Sequence, residues 1–304
     1  MDEVVEQLPS QVVVITGASR GVGFETAREL AYRGHQVIAT MRNPDRDGPA
    51  VIAGYENRIQ AIRCDIGERD STEAAAVFAL ERHGRIDALV NNAALLLIGA
   101  IEEVVDDEMH DLFNTNLTGQ MRMTQAVLPA MREQKSGKII TVSSLAGKIS
   151  GPAFGPYCAS KWALEGLMES LRYELAPLGI EVSLILMGAY RTQIQFKSTF
   201  LTKKLQDGVS AYQAPCEAFV KGEQVRANLN PGVRTVACNI ADAIEFPDPL
   251  APHIPVGFDV HRVMPLRQRM THDEFEAMIS SMRNEGFPGS WFGTIEANPP
   301  VPIS

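Results

Sequence analysis

At 304 residues, with 45% hydrophobic and 21% charged side chains, the chain can bury the core of one large α/β domain and has the composition of an ordinary soluble globular protein. A formal net charge of −9 argues against nucleic acid or an anionic membrane as partner, since both prefer a basic face. The acidic opening MDEVVEQLPS is unlike a secretory signal, and apolar runs such as Ala93 to Ile98 are far too short to cross a bilayer.

Strand and helix signals alternate from the beginning. Gln11–Ile15 is a short β-branched strand that stops at Thr16-Gly17, and a helical pattern follows from Gly23 to Arg33, ended by Gly34. Gln36–Thr40 is a second strand, and a polar loop leads to a third, Ile59–Arg63. Ser71–His83 reads as an Ala-rich helix capped by Ser71 or Asp70, with Gly84 just past its end. Ala88–Val90 is a strand, Asp106–Met131 a helix and Lys138–Val142 a strand. Tyr157–Ala176 is a long helix ended by Pro177 and Gly179, and Glu181–Leu186 is again a strand. After Gly188 the pattern loosens: 191–230 has only weak helical periodicity, Thr235–Phe246 is helical, and Pro255–Gly257 suggests one last short strand. Asn298–Ser304 is expected to be poorly ordered.

Unbroken apolar strands separated by helices indicate a parallel sheet covered on both faces. Right-handed crossovers then wind the chain into an α/β fold, a doubly wound parallel sheet of Rossmann type. Such sheets bind ligands beyond the carboxyl ends of their strands, so the loops after Ile15, Thr40, Arg63, Val90, Val142 and Leu186 are the places for a site. The expected organisation is one domain over 11–260, with 189–234 as its substrate-binding lid, and a C-terminal extension over 261–304.

Two motifs in those loops carry chemistry. Thr16-Gly17-Ala18-Ser19-Arg20-Gly21-Val22-Gly23 lies between the first strand and the first helix. There a sharp turn lets a diphosphate approach the free N–H groups and positive dipole end of the helix. A glycine-rich turn alone could be a flexible loop; its place in a strand–turn–helix unit favours nucleotide binding. Tyr157 and Lys161, four residues apart, share one helix face. A phenol of ordinary pKa ~10 is a poor base at neutral pH, and a neighbouring ammonium brings it closer to the working range. Taken alone, such a pair is more often a surface tyrosine and a solvated lysine. Ser143-Ser144 closes a strand upstream, at the same end of the sheet as the glycine turn. Either serine could instead be a cap or turn former. The cysteines (Cys64, Cys158, Cys216 and Cys238) form no CxxC and no Cys/His cluster, so no metal is expected. Free thiols in a reducing, cytoplasmic setting are the expectation.

Together these residues resemble the short-chain dehydrogenase/reductase family over about Gln11 to Gly188, and more loosely its hydroxysteroid/retinol-dehydrogenase-like branch through Thr235–Phe246 and Ile254–Gly257. The family's TGxxxGxG is present as Thr16 to Gly23, its acidic residue after the third strand as Asp65, and its NNAG as Asn91-Asn92-Ala93-Ala94. Its catalytic Asn, Ser and YxxxK match Asn116, Ser144, Tyr157 and Lys161. The resemblance implies that Tyr157 is the acid/base for the substrate oxygen and that Ser144 hydrogen-bonds that oxygen. Lys161 would lower the Tyr157 pKa and bind the nicotinamide ribose, while Asn116 would hold a water in a proton relay. It also implies a cofactor-binding set of Gly17, Ser19, Arg20, Gly21, Val22, Gly23, Arg42, Asp65, Ile66, Asn92, Ala93, Tyr157, Lys161, Gly188 and Thr192. Two departures stand out: Ala94 replaces a glycine near the cofactor, and Met187 replaces the proline usual before Gly188.

Charge indicates the cofactor. The second strand ends Ala39-Thr40-Met41-Arg42, with no acid to accept from a ribose 2′-OH. Arg20 and Arg42 instead offer two guanidinium groups to a 2′-phosphate, so NADP(H) is expected. The leading expectation is hydride transfer between nicotinamide and a carbonyl or secondary alcohol. A non-catalytic NADP-binding sensor or scaffold, and a dehydratase or epimerase of the same family, are the alternatives. Tyr190, Phe196, Phe200, Tyr212 and Phe219 suggest a lipophilic small-molecule substrate, although they could equally be core. As in relatives, the helix from Tyr157 and the helix around Asn116 are expected to build a homodimer or homotetramer. The apolar residues Trp162, Leu164, Leu167, Met168 and Leu171 support this modestly.

Overall fold

A computed structural model describes residues 9–190, 199–227, 232–247, 249–275 and 277. The strands are β1 (Val12–Ile15), β2 (Gln36–Met41), β3 (Ile59–Arg63), β4 (Ala88–Asn91), β5 (Leu96–Ile98), β6 (Gly137–Val142), β7 (Ile180–Met187), β8 (Thr199–Leu201) and β9 (His253–Val256). Seven of them form one parallel sheet in the order β3-β2-β1-β4-β6-β7-β9. Strand order reverses between β1 and β4, whose register pairs Ile15 with Val90. This is the doubly wound parallel sheet expected, and its switch point opens beside the glycine turn.

Alternate residues of each strand feed opposite layers. Val13, Ile15, Val37 and Ile140 pack beneath helices α1 (Gly21–Tyr32) and α9 (Arg234–Glu245), against Leu30, Val236 and Ile240. Val14, Ile38, Leu89 and Ile139 pack on the other face against α3 (Arg69–His83), α5 (Gln120–Gln134) and α6 (Gly155–Leu175), through Ala79, Val127 and Leu164. A sheet covered on both faces explains why the strands read as continuous apolar runs.

Several boundaries differ from expectation for identifiable reasons. The polar loop before β3 contains α2 (Pro44–Ile52), where Asn43 accepts from the Arg46 N–H and Pro44 occupies the first turn. Its Gly48 and Pro49 disguise a helix, yet Gly48 is needed, since a Cβ there would lie 2.9 Å from Ala61 Cβ on β3. Neither Ser71 nor Asp70 caps α3. The helix starts at Arg69 behind Glu68, and the Ser71 hydroxyl accepts from the Asp65 N–H instead. The helix expected over Asp106–Met131 is α4 (Asp106–Phe113) and α5 joined by a π-helical turn, Asn114–Gly119.

The apolar run Ala93–Ile98 supplies β5, which pairs in parallel with β8 in a separate two-stranded sheet. After β8 come α7 (Lys203–Gln206) and α8 (Gln213–Ala227). This segment lies over the sheet end through Leu96, Ile98, Leu205, Cys216 and Phe219. Helix α10 (Phe258–Arg269) crosses residue 260 and packs Val260 and Val263 on Leu145, Ile149 and Leu186. The expected disorder at Asn298–Ser304 lies outside the described residues. Among those residues, no helix is long and apolar enough to cross a membrane.

Glu103, buried ahead of α4, accepts from the Ser210 hydroxyl and from the Ala211 N–H at 3.0 Å. It therefore ties the segment before α8 to the main body. Charged hydrogen bonds of this kind are worth about 1.5–3 kcal/mol. Glu103→Ala is expected to lower stability by about that amount in urea denaturation. An unchanged midpoint would show that the contact holds nothing.

Candidate active site

The chain enters the site from β1. After Ile15, the Thr16 hydroxyl accepts from the N–H groups of Asn92 (2.9 Å) and Ala93 (3.1 Å), so the loop after β4 is fastened to the glycine turn. The Asn92 amide donates back to the Thr16 and Gly17 carbonyls at 2.8 and 3.1 Å. Gly17 sits at φ +68°, and a Cβ there would lie 2.9 Å from Ala93 Cα. Only glycine serves at that point. Helix α1 then starts behind Arg20 with no side-chain cap and no acid in its first turn. Its first N–H groups are thereby left for an anion, and the cradle fits the diphosphate of a dinucleotide.

The six loops beyond the strand ends enclose one cleft of about 240 Å³. Gly17, Ser19, Arg20, Gly21 and Val22 line it from the loop after β1, and Met41 and Arg42 from the end of β2. Asp65, Ile66, Asn92 and Ala93 line it from the next two loops, and Ser144, Tyr157, Lys161 and Gly188 from the far side. Gly23 stands behind the lining, where a Cβ would lie 2.5 Å from the Asn92 amide. Asn116 is fully buried outside the cleft wall, and Thr192 and Phe196 lie outside the described residues. Thr40, the strand-end position that lacks an acid, is fully buried and does not line the cleft; Met41 and Arg42 do.

Ser144 lies two residues beyond β6 and caps a short 3-10 turn, its Oγ accepting from the Ala146 N–H at 3.1 Å. That bond leaves the hydroxyl proton to be donated into the cleft. Tyr157 enters from the first turns of α6, its ring stacked on Phe154 at 5.0 Å between centroids. One turn on, Lys161 is 2% exposed and donates to the Val142 carbonyl at 2.9 Å, with its ammonium 5.8 Å from the centre of the Tyr157 ring. Burial pushes the Lys161 ammonium down to about 8, against an opposing pull from the Glu165 charge.

Asn116 occupies the π-helical turn. Its amide accepts from the Leu95 N–H at 2.7 Å and donates to the Leu95 carbonyl at 2.9 Å and to the Ser160 hydroxyl at 3.0 Å. Ser160 in turn donates to the Tyr157 carbonyl at 2.7 Å. The loop after β4 and the start of α6 are thus joined through one side chain.

Most of the remaining wall is apolar, with Leu95, Leu96, Ile98, Ile149, Phe154 and Val220, and Tyr190 and Phe219 beside them; Thr115, Ser143 and Ser150 are its polar members. Sequence reasoning found Tyr190 and Phe219. It missed Leu95, Leu96, Ile98 and Phe154, whose only signal was hydrophobicity. Tyr212 is turned away to the surface near Glu102, and the Phe200 side chain lies outside the described residues. The backbone-holding roles of Thr16, Gln120 and Ser160 were not legible in the sequence; Gln120, for example, donates to the Ala93 carbonyl at 2.7 Å.

Both departures from the family pattern face the cleft. Ala94 adds its methyl to the wall. Beside Met187, the loop is held from α10: Asp259 accepts from the Ala189 N–H at 2.8 Å and stands 1.7 Å from where a Gly188 Cβ would be. Gly188 also donates to the Val256 carbonyl at 3.1 Å. These contacts supply the restraint that a proline would otherwise give.

Comparison with known proteins agrees with this geometry. The chain is similar to a 3-ketodihydrosphingosine reductase of Bacteroides thetaiotaomicron, 37% identical over 182 residues, or 60% of this chain. That match spans 65% of the reductase, just under two thirds of its length. It is also similar to the 17-beta-hydroxysteroid dehydrogenase type 1 of Homo sapiens, 31% identical over 91% of this chain and 86% of the human protein. A metagenomic short-chain oxidoreductase solved in complex with NADP shares 38% identity at a TM-score of 0.57, over 59% of this chain and 83% of that one. The family model for short chain dehydrogenases matches residues 11–200, from the first strand through every motif described above. The chain therefore belongs to the short-chain dehydrogenase family.

Proposed function

We propose that the protein is an NADP(H)-dependent oxidoreductase acting on a carbonyl or secondary alcohol of a lipophilic small molecule, with Tyr157 as its acid/base. The observation that carries this reading is the convergence of Tyr157, Lys161 and Ser144 on the cleft that also holds the glycine turn. Bound NADP(H) would supply or accept the hydride. The chain's own residues handle the oxygen and its proton. In the reducing direction Ser144 donates a hydrogen bond to the carbonyl oxygen, and Tyr157 delivers the proton that makes it a hydroxyl. The Lys161 ammonium stabilises the phenolate left behind. With one proton committed to Val142, it has two others for the phenol side and the ribose. Asn116 spends its amide on Leu95 and Ser160, so its part in a proton relay would be to fix the geometry.

For the cofactor, Arg20 and Arg42 line the cleft with no acid at the end of β2. The NADP complex of the 38% identical oxidoreductase supports the same choice. The apolar wall supports a lipophilic substrate, as do the substrate names of the sphingosine-type and steroid-type relatives.

A homodimer or homotetramer is part of the proposal. In the fold, Leu164 and Met168 belong to the chain's own core and Leu167 and Leu171 pack partly against it, which leaves the outer sides of these two and exposed Trp162 on α6 for a partner. Static light scattering at micromolar concentration should give at least twice the monomer mass, and a monomer would remove this part of the reading.

Turnover is best followed as NADPH consumption with a 17-ketosteroid, a long-chain aliphatic ketone and a small polar ketone. Tyr157→Phe is expected to abolish it while leaving NADPH affinity nearly unchanged, because the transferable proton is lost and little volume with it. Wild-type rates in that variant would remove Tyr157 from the mechanism. Preference for the polar ketone would refute the lipophilic assignment.

Arg42→Ala is expected to weaken NADPH binding by roughly ten- to a hundred-fold, the worth of one charged hydrogen bond, and to leave NADH binding nearly unaffected. If wild type already prefers NADH, or the variant leaves the NADPH-to-NADH ratio of kcat/KM in place, the NADP assignment fails.

A further inference from the structure

The helix stripe that carries Tyr157 and Lys161 continues, one turn further, with Glu165. This carboxylate is 4% exposed, and no step proposed above uses it. A charge so deep is costly unless donors surround it. Glu165 draws them from three places outside its helix: the Ser143 hydroxyl at the end of β6, the Lys148 ammonium at 2.9 Å beyond the following turn, and the His253 ring of β9 at 2.8 Å. The side chain also forms the floor of the Ser144 turn. A Cβ on Gly147 would lie 2.9 Å from Glu165 Cγ and 3.2 Å from Ser143 Oγ.

Glu165, Glu169 and His253 place potential ligand atoms within 4.8 Å of one another. The Lys148 ammonium, 2.9 and 3.5 Å from the two carboxylates, already supplies the positive charge there. That ammonium offsets one of the two carboxylate charges, which turns attention to what the cluster holds in place.

We infer that Glu165 is a positioning residue, whose carboxylate fastens the Ser143–Ser144 turn to the helix bearing Tyr157 and Lys161 and so fixes the substrate-oxygen donor relative to the acid/base. The inference rests on the catalytic reading of Ser144, Tyr157 and Lys161. Two hydrogen-bonding groups brought together by different elements must be held to a fraction of an ångström, and a misplacement of about 1 Å costs roughly a hundred-fold in rate.

The electrostatics give the role its own signature. Burial opposes ionisation of Glu165, but hydrogen bonds from His253, Ser143 and Lys148 outweigh it and hold the carboxyl below its ordinary range. The charge acts in turn on Lys161, which burial pushes down to about 8 and Glu165 pulls back up. The groups around this pair are Tyr157 on the same helix, Lys148 beyond β6, His253 on β9, and Glu169, 3.4 Å from His253. Neutralising Glu165 removes the upward pull on Lys161, so the lysine loses its proton at lower pH. The alkaline limb of the activity profile then moves to lower pH.

The test compares Glu165→Gln, Ser143→Ala, Glu169→Gln and Tyr157→Phe, using NADPH and whichever ketone of the panel above turns over fastest. Glu165→Gln is expected to bind NADPH as wild type does and to lose roughly ten- to a hundred-fold in kcat. Its alkaline limb should shift to lower pH, and amide exchange over 144–147 should quicken. Ser143→Ala, which cuts the tie but keeps the charge, should lower kcat without moving the limb. Glu169→Gln should resemble wild type throughout. Wild-type kcat and pH profile in Glu165→Gln, with Tyr157→Phe inactive, would overturn the inference. Should Glu165→Gln fail to fold, wild-type kcat in Ser143→Ala would overturn it equally. Retained turnover in Tyr157→Phe is a separate outcome, and it defeats the catalytic reading itself.

Discussion

A primary ammonium at 2% exposure sets conditions on everything around it. Lys161 remains charged near neutral pH only where carbonyl oxygens, a carboxylate and polarisable groups replace the water it has lost. The Val142 carbonyl meets one condition, which requires β6 to end at that residue and α6 to pass over its end. The Tyr157 ring and the Glu165 charge meet others from the turns on either side. Strand order matters here as well. Because β6 pairs with β4 on one side and β7 on the other, the end of β6 is central in the sheet and closed to solvent from beneath. The same central position places Ser144 opposite the glycine turn. One buried cation thus ties the sheet topology to the proposed proton chemistry.

Much of this was legible in the sequence, and what was legible shares a cause. The strands were readable because a two-faced parallel sheet demands apolar residues at every position, as in Val12–Ile15 and Ile180–Met187. The glycine turn and the Tyr157/Lys161 pair were readable because their chemistry fixes residue type and spacing within a few positions. What escaped depended on partners distant in sequence. Nothing around Leu96 says that it will pair with Thr199, and β5 is only three residues long. Helix α2 was hidden by Gly48 and Pro49, although Asn43, Pro44, Asp45 and Asp47 compose a regular helix start. Glu165 reads as a surface residue of an amphipathic helix until His253, 88 positions away, is brought beside it.

The site divides its labour by depth. Residues touching the open cleft, such as Ser144, Tyr157 and Arg42, can act on a ligand. Beside and behind them, Thr16, Asn92, Asn116 and Gln120 bind backbone groups of neighbouring segments, and Ser160 anchors the Asn116 amide to α6, so that segments which would otherwise move separately are joined. Loops carry the chemistry of open α/β sheets, but they are the least rigid part of such folds. Buried side-chain amides and hydroxyls make them behave as extensions of the sheet.

The hold of Asp259 on the loop after β7 has a consequence for how this sequence can change over time. The Met187-Gly188 loop lacks the proline restraint of its family and takes its order from a residue 70 positions downstream. The two positions form a compensating pair: while the aspartate stays, proline at 187 confers little benefit, and loss of the aspartate would make proline valuable. Gly188 cannot acquire a side chain unless that carboxylate moves from its present place or is lost. In lineages descended from this chain, substitutions at 187, 188 and 259 are therefore coupled through that one carboxylate.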